Sequence, residues 1–213
     1  MVQEWRHLTL LKRSGRGHSP TGVEGTKQGE CAALCPACPQ PGRNLPIGWE
    51  NAPEHKRWLY TLFLGIDANF HLKRLAVSND VHDPGLNHRF VYIVEEQAFK
   101  SHLKEFDTQI PPEPSTTCNN YDAPNGAGTI DCSQHDMKRP VSVGDLQLGE
   151  RYINMDYIFL LSLRQNAPHS IVTSYDIACQ WTRNLHKRCE IYETDIDSSS
   201  ILFLIPKFHL PAH

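Results

Sequence analysis

The sequence predicts an α/β fold built on one mixed sheet, and three apolar runs point to it. Trp58-Leu-Tyr-Thr-Leu-Phe-Leu-Gly-Ile-Asp67 is nearly continuous, as expected of a strand buried on both faces. Ile171-Val-Thr-Ser-Tyr-Asp176 and Ile201-Leu-Phe-Leu-Ile-Pro206 are shorter runs of the same kind, separated by a helical stretch.

Residues 1–57 are rich in Gly, Pro and charge and read as a loop-rich N-terminal segment with a cysteine cluster. After the first strand, Ala68-Asn69 suggests a tight turn into Phe70-His-Leu-Lys-Arg-Leu-Ala-Val77, whose alternation predicts a half-buried strand. Arg89-Phe-Val-Tyr-Ile-Val94 reads as a third strand, completing an antiparallel meander. The spacing of Phe99, Leu103 and Phe106 predicts a helix over 95–106. Residues 107–149 carry Pro, Asn and Gly clusters without periodicity and read as an irregular insertion. A helix over 150–165, the strand 171–176, a helix from Ile177 to about Cys189 and the strand 201–206 follow. This order of elements matches an RNase H-like mixed sheet, three antiparallel strands plus parallel strands, occupying residues 58–213.

The chain has 213 residues, 39% hydrophobic and 21% charged, enough for one large domain or one domain with insertions. No apolar stretch is long enough to span a membrane, and the first residues lack the profile of a secretory signal. A net charge of −3 opposes a strongly basic nucleic-acid binder, so any DNA contact must come from a local patch. Seven cysteines, an odd number without an export signal, favour thiols or metal ligands over a disulfide framework.

Two aspartates carry the chemistry. Asp67 and Asp176 each close a strand-like run, and neighbouring strands would bring both carboxylates to one edge where a divalent cation can be held. The plainer reading makes Asp67 a turn residue and Asp176 the N-cap of the next helix. Asp156, inside a predicted helix, reads as structural. Among the cysteines, Cys118, Cys132 and His135 form a zinc candidate in the insertion, with no fourth ligand evident. Cys35 and Cys38 read as a zinc half-site or a packed thiol loop. Adding Cys31 gives an iron–sulfur-like spacing, but the Pro-rich loop behind it disfavours that reading. Cys179 and Cys189 read as core thiols.

Six blocks then fall in one order. They are Cys35-Pro-Ala-Cys-Pro-Gln-Pro-Gly-Arg-Asn-Leu-Pro46, Asp67-Ala-Asn-Phe-His-Leu-Lys-Arg74, Gly144-Asp-Leu-Gln-Leu-Gly-Glu-Arg-Tyr152, Asn154-Met-Asp-Tyr157, Ser174-Tyr-Asp-Ile-Ala-Cys-Gln-Trp181 and Pro206-Lys-Phe-His-Leu-Pro-Ala-His213. Together they resemble the Kyakuja–Dileera–Zisupton (KDZ) transposases, over the N-terminal and central part of their catalytic region. The resemblance implies an RNase H-like core with a DDE-type acidic triad, a cysteine-rich zinc-binding region, Mg²⁺ or Mn²⁺ as cofactor, and transposon-end and target DNA as partners in the nucleus. It implies Asp67 and Asp176 as the first two acids and places the third, a glutamate, beyond His213. The expectation is therefore a C-terminally truncated fragment or degenerate copy of a DNA transposase, inactive alone. The rival expectation is a non-catalytic, zinc-stabilised module that binds DNA or protein.

Overall fold

One open, mixed sheet of five strands carries the structure, a computed structural model that describes residues 1–70, 90–106, 108, 126–146 and 151–212. The strands are β1 (Leu62–Asn69), β2 (Gly126–Cys132), β3 (Met137–Leu146), β4 (Ile171–Ser174) and β5 (Ile201–Leu204), in the order β3-β2-β1-β4-β5. β1 is antiparallel to β2 and β2 to β3, whereas β1, β4 and β5 run parallel. A mixed sheet is thus as expected, but two of its strands come from other segments than the sequence suggested.

Where an irregular insertion was expected, β2 and β3 form a hairpin. Their apolar alternation is interrupted by Gly126, Gly128 and Gly144, which carry no side chain to register a period. Gly128 and Gly144 face one another across the hairpin. A Cβ at Gly128 would lie 2.8 Å from Met155 Sδ, and one at Gly144 would lie 2.8 Å from Ile158 Cδ1. The glycine pair is a notch into which the helix carrying Met155 and Ile158 settles. A bulge between Thr129 and Asp131 breaks the pattern further, and Val141 there takes φ 45°, a conformation a β-branched residue rarely adopts.

Residues 90–94, expected as a third strand, form no strand. They run along β3 as a strap, with Ile93 making an isolated parallel bridge to Val143. The Val141 and Val143 amides donate to the carbonyls of Val91 and Tyr92 at 3.0 and 2.9 Å. The strand expected over 70–77 lies outside the described residues from residue 71 onward. β1 also starts later than its apolar run suggests, because Glu54–Tyr60 winds into a 3₁₀ helix, and it continues past Asp67 to Asn69. No tight turn follows Asp67 directly.

The helices are α1 (Val2–Arg13), α2 (Glu96–Phe106), α3 (Tyr152–Leu163), α4 (Ala178–Trp181) and α5 (Leu185–Ile191). α1 lies in the segment expected to be loop. It buries only Leu11, against Cys31 and Phe90, while Trp5 and Leu8 on the same helix stay exposed. α3 is the opposite case. All its residues but Tyr157 are buried, as an apolar-all-round helix must be. It packs over the face of the sheet that includes Leu64, Ile66 and Ile130, and Phe159 meets Trp181 edge-on at 5.3 Å. The opposite face is barer: Leu202 and Leu204 remain 57% and 46% exposed there. Among the described residues no helix is long and apolar enough to cross a membrane.

A carboxylate sits in the middle of α3. Asp156 is fully buried and accepts from Arg188 Nε at 2.6 Å, Arg188 Nη2 at 3.1 Å, Trp181 Nε1 at 2.8 Å and the Tyr192 hydroxyl at 2.8 Å. Burial pushes its pKa up, and Arg188, Tyr192 and Trp181 pull against that. The sequence expectation of a structural role is met. Asp156→Ala should destabilise the fold by about 3–5 kcal/mol, because it strands the buried Arg188 guanidinium. Urea unfolding followed by circular dichroism checks this, and a loss below about 1 kcal/mol would contradict the pairing.

His102 on α2 packs among Phe106, Tyr157 and Tyr192, and burial lowers its pKa to about 4. The unfolded chain, with histidine near its ordinary value of about 6.5, binds the proton first. Its contribution to stability is therefore present above that value and lost as pH falls toward 4. Melting temperature should drop on acidification through this window, and His102→Phe should flatten part of the drop.

Candidate functional site

Two four-residue turns face each other at the end of the sheet where β1 begins. Cys35-Pro-Ala-Cys38 closes with the Cys38 amide donating to the Cys35 carbonyl at 3.3 Å, and Cys132-Ser-Gln-His135 closes the same way at 3.3 Å. Side chains brace the first turn. Gln40 Nε2 donates to the Cys35 carbonyl at 2.6 Å, and Asn44 Nδ2 donates to the Cys38 carbonyl at 2.8 Å and the Pro36 carbonyl at 3.2 Å. The second turn is braced by the sheet: Cys132 is level with Leu64, and the Ser133 amide donates to the Phe63 carbonyl at 3.0 Å.

The ligand atoms of Cys35, Cys38, Cys132 and His135 all lie within 4.8 Å of one another. His135 Nδ1 is 3.2 Å from Cys132 Sγ, 3.4 Å from Cys35 Sγ and 3.9 Å from Cys38 Sγ, while Cys38 and Cys132 sulfurs are 3.0 Å apart. Zn–S bonds of about 2.3 Å and Zn–N bonds of about 2.1 Å in a tetrahedron imply ligand separations of about 3.5–3.8 Å, and the separations here scatter around that range, so the set could hold a structural zinc ion. Its chemistry fits as well. Burial opposes ionisation of Cys35, yet hydrogen bonds from Cys38, the Ala37 and Cys38 amides and Cys132 outweigh it and lower its pKa. Burial and the neighbouring Cys132 and Cys35 push Cys38 up. Three crowded thiols resist ionising together without a cation between them.

Arg139 supplies further positive charge nearby. It is 5% exposed, its Nη2 donates to the Ser162 and Gln165 carbonyls at 3.0 and 2.6 Å, and it feels the charge of all three sulfurs. Three thiolates and an imidazole around a dication carry a net charge of −1, which a buried guanidinium offsets.

The sequence had named four of the right residues but not their grouping. Cys35 and Cys38 stood apart from Cys132 and His135, and Cys118, which lies outside the described residues, was grouped with the latter pair. The available signal was the repeat of one spacing, Cys-x-x-Cys and Cys-x-x-His, in two distant places. Cys31 stays out of the group and packs with Leu11 and Phe90. Cys189 is buried as expected, but Cys179 is exposed.

The two aspartates occupy the opposite end of the sheet. The β1–β4 register runs from Leu62–Ile171 to Gly65–Ser174. Two residues beyond the last pair stand Asp67, still on β1, and Asp176, in the turn that follows β4. The Tyr175 amide still donates to the Leu204 carbonyl at 3.0 Å, so the backbone keeps its line beyond β4. Both acids fall on the barer face; Asp67 is exposed and Asp176 half-buried. Asp67 Oδ1 accepts from the Ala68 amide at 2.9 Å, and Asp176 Oδ1 accepts from the Ile177 amide at 2.8 Å. The N-cap of α4 is Ile177, without a side-chain cap, so Asp176 precedes the capping position assigned to it by the plainer reading.

The family model of the Kyakuja-Dileera-Zisupton transposases matches residues 60–213. The chain belongs to the KDZ transposase family. The matched region contains the whole sheet, Asp67, Asp176, Cys132 and His135; Cys35 and Cys38 lie before it. No curated protein and no solved structure matches the chain.

Purified KDZ chain should carry about one zinc per molecule, measured by atomic emission. Cys132→Ala should abolish that content and lower the melting temperature, whereas Cys179→Ala should change neither. Full zinc retention in Cys132→Ala would refute the four-ligand set.

Proposed function

We propose that this chain provides part of an RNase H-like, DDE-type catalytic core for cutting and joining DNA, with Asp67 and Asp176 as two of its acids. The single observation that supports the reading most is the parallel β1–β4 pairing, since Asp67 and Asp176 each follow its last pair, Gly65–Ser174, by two residues. Ligand sites in open α/β sheets gather at such ends. The strand order and directions agree with an RNase H-like sheet, and membership of the KDZ family makes DNA the substrate class.

The donor set fits a hard divalent cation. Mg²⁺ keeps several waters and is held by one or two carboxylates plus substrate phosphate. Asp67 and Asp176 would hold it, and it would polarise a phosphodiester oxygen and activate the attacking water or 3′-hydroxyl. The protein's own part is positional. β1 and β4 would set the carboxylate spacing, and the Ala68 and Ile177 amides orient one oxygen of each. Two carboxylates make only a partial site, so the chain is expected to bind metal weakly and to need a further acid for turnover. Nuclear DNA, transposon ends and target, is the proposed setting.

The Cys35–Cys38–Cys132–His135 group favours a second reading, a zinc-stabilised module that binds DNA or protein without cutting. The two readings separate by experiment. Mn²⁺ binding followed by electron paramagnetic resonance should show a site weakened tenfold or more by Asp67→Asn and by Asp176→Asn. Salt-sensitive DNA binding with no such Mn²⁺ site would support the non-catalytic module instead.

A further inference from the structure

A third feature of the molecule belongs to neither site. Between the Cys35–Cys38 turn and β1 the chain forms two short 3₁₀ helices, Trp49–Asn51 and Glu54–Tyr60. With His169 and Ser170, just before β4, they enclose a cavity of about 230 Å³ lined by Trp49, Glu50, Arg57, Tyr60, His169 and Ser170. The volume is somewhat below the 300 Å³ or so at which drug-sized pockets begin, a size for one ring system.

The walls are flat and aromatic. The Trp49 and His169 rings are within 18° of parallel with centroids 6.4 Å apart, and Tyr60 meets Trp49 at 6.1 Å. That separation leaves no room for a third ring between them, so a further ring would have to lie against the outer face of the pair. One donor and one acceptor flank them. Arg57 can pair with a phosphate, and Glu50 can accept from ring N–H or exocyclic amino groups. Trp58, 60% exposed, and Lys56 continue the surface along the same helix, so basic and aromatic residues interleave. The floor is rigid: the Leu62 amide donates to the Ser170 carbonyl at 3.0 Å, and the Thr61 and Ser170 hydroxyls are 2.8 Å apart.

We infer that this cavity is a binding subsite for one unstacked base of single-stranded DNA, with Trp49 offering the stacking face, Tyr60 and His169 backing it and Arg57 pairing with the phosphate. The chemistry that fits is an aromatic ring system bearing N–H groups and joined to an anion. Every base offers a π-face, so this contact tolerates any sequence. That the ligand is DNA rests on the function proposed above; that the cavity takes a base does not. Five steps of β1 at about 3.3 Å each separate Leu62 from Asp67 by about 16 Å, and Tyr60 lies before that start, so this is a separate site that holds a strand rather than reacts with it.

The test uses the full chain and a labelled single-stranded oligonucleotide of about twelve nucleotides, followed by fluorescence anisotropy. Trp49→Ala should weaken binding about tenfold to a hundredfold, while Trp49→Phe keeps most of it. Arg57→Gln, at an exposed position where misfolding is not at issue, should weaken binding and lower the slope of log affinity against log salt by about one. Trp49→Ala and Arg57→Gln should leave Mn²⁺ binding unchanged, which separates this site from the acidic pair. Three results would overturn the assignment: no binding of the single strand, Trp49→Ala and Arg57→Gln both binding within twofold of the parent chain, or the mononucleotide dGMP displacing the oligonucleotide at equal concentration, which would mark a free-nucleotide site.

Discussion

A carboxylate in the centre of a fully buried helix constrains this molecule more than any other single interaction. Asp156 cannot be hydrated where it lies, so its charge must be met by protein groups. Arg188, Trp181 and Tyr192 meet it, and all three come from the chain just after Asp176. The pairing therefore ties α3, which lies on the sheet, to α4 and α5, which follow β4. The short helix α4 has no side-chain cap of its own, and four residues fix little by themselves. Its placement comes from Trp181, which is fully buried and wedged edge-on against Phe159, Tyr175 and Phe203. The position of Asp176 thus depends on a charge buried twenty residues earlier in the chain.

A second constraint acts at the other end of β1. Residues 14–60 form turns and 3₁₀ segments and give the main core little besides Cys35 and Cys38. Such a segment buries too little apolar surface to hold itself in place. Facing Cys-x-x-Cys and Cys-x-x-His turns would supply another means on taking up a metal, because coordination stabilises the fold only when both turns are correctly placed. The same clamp positions the chain that leads to Trp49 and Tyr60.

The sequence was legible where side chains keep a period and silent where glycine or distance removes it. β1, β4 and β5 showed as apolar runs, α2 as helical spacing and α3 as a helix, each to within a few residues. β2 and β3 were hidden by Gly128 and Gly144, which exist to admit Met155 and Ile158 and so erase the alternation that marks a strand. α1 was hidden because it buries a single leucine. Asp67 and Asp176 could be named because they end apolar runs, but their alignment needs a register that only pairing defines. The cysteine group was half legible: both spacings were visible, and what joins them is a fold that brings residues 35–38 to the β2–β3 turn. Trp49 and His169 share no sequence pattern at all; they meet because β1 and β4 are neighbours and each follows its own loop.

Register is where these constraints converge. Side chains on a strand alternate between faces, so a slip of one residue between β1 and its neighbours would turn Asp67 away from the bare face toward α3. Gly65 does little to prevent that slip, since it has no side chain to mark a face. The hold comes from elsewhere on β1: Leu64, fully packed, lies level with Cys132, whose sulfur belongs to the metal-binding group. Three residues separate Leu64 from Asp67. A cation on the four-ligand set would thus fix the pairing of β1 with β2, and the Asp156 pairing fixes the chain beyond β4. In the proposed catalytic arrangement each constraint would act on one of the two carboxylates.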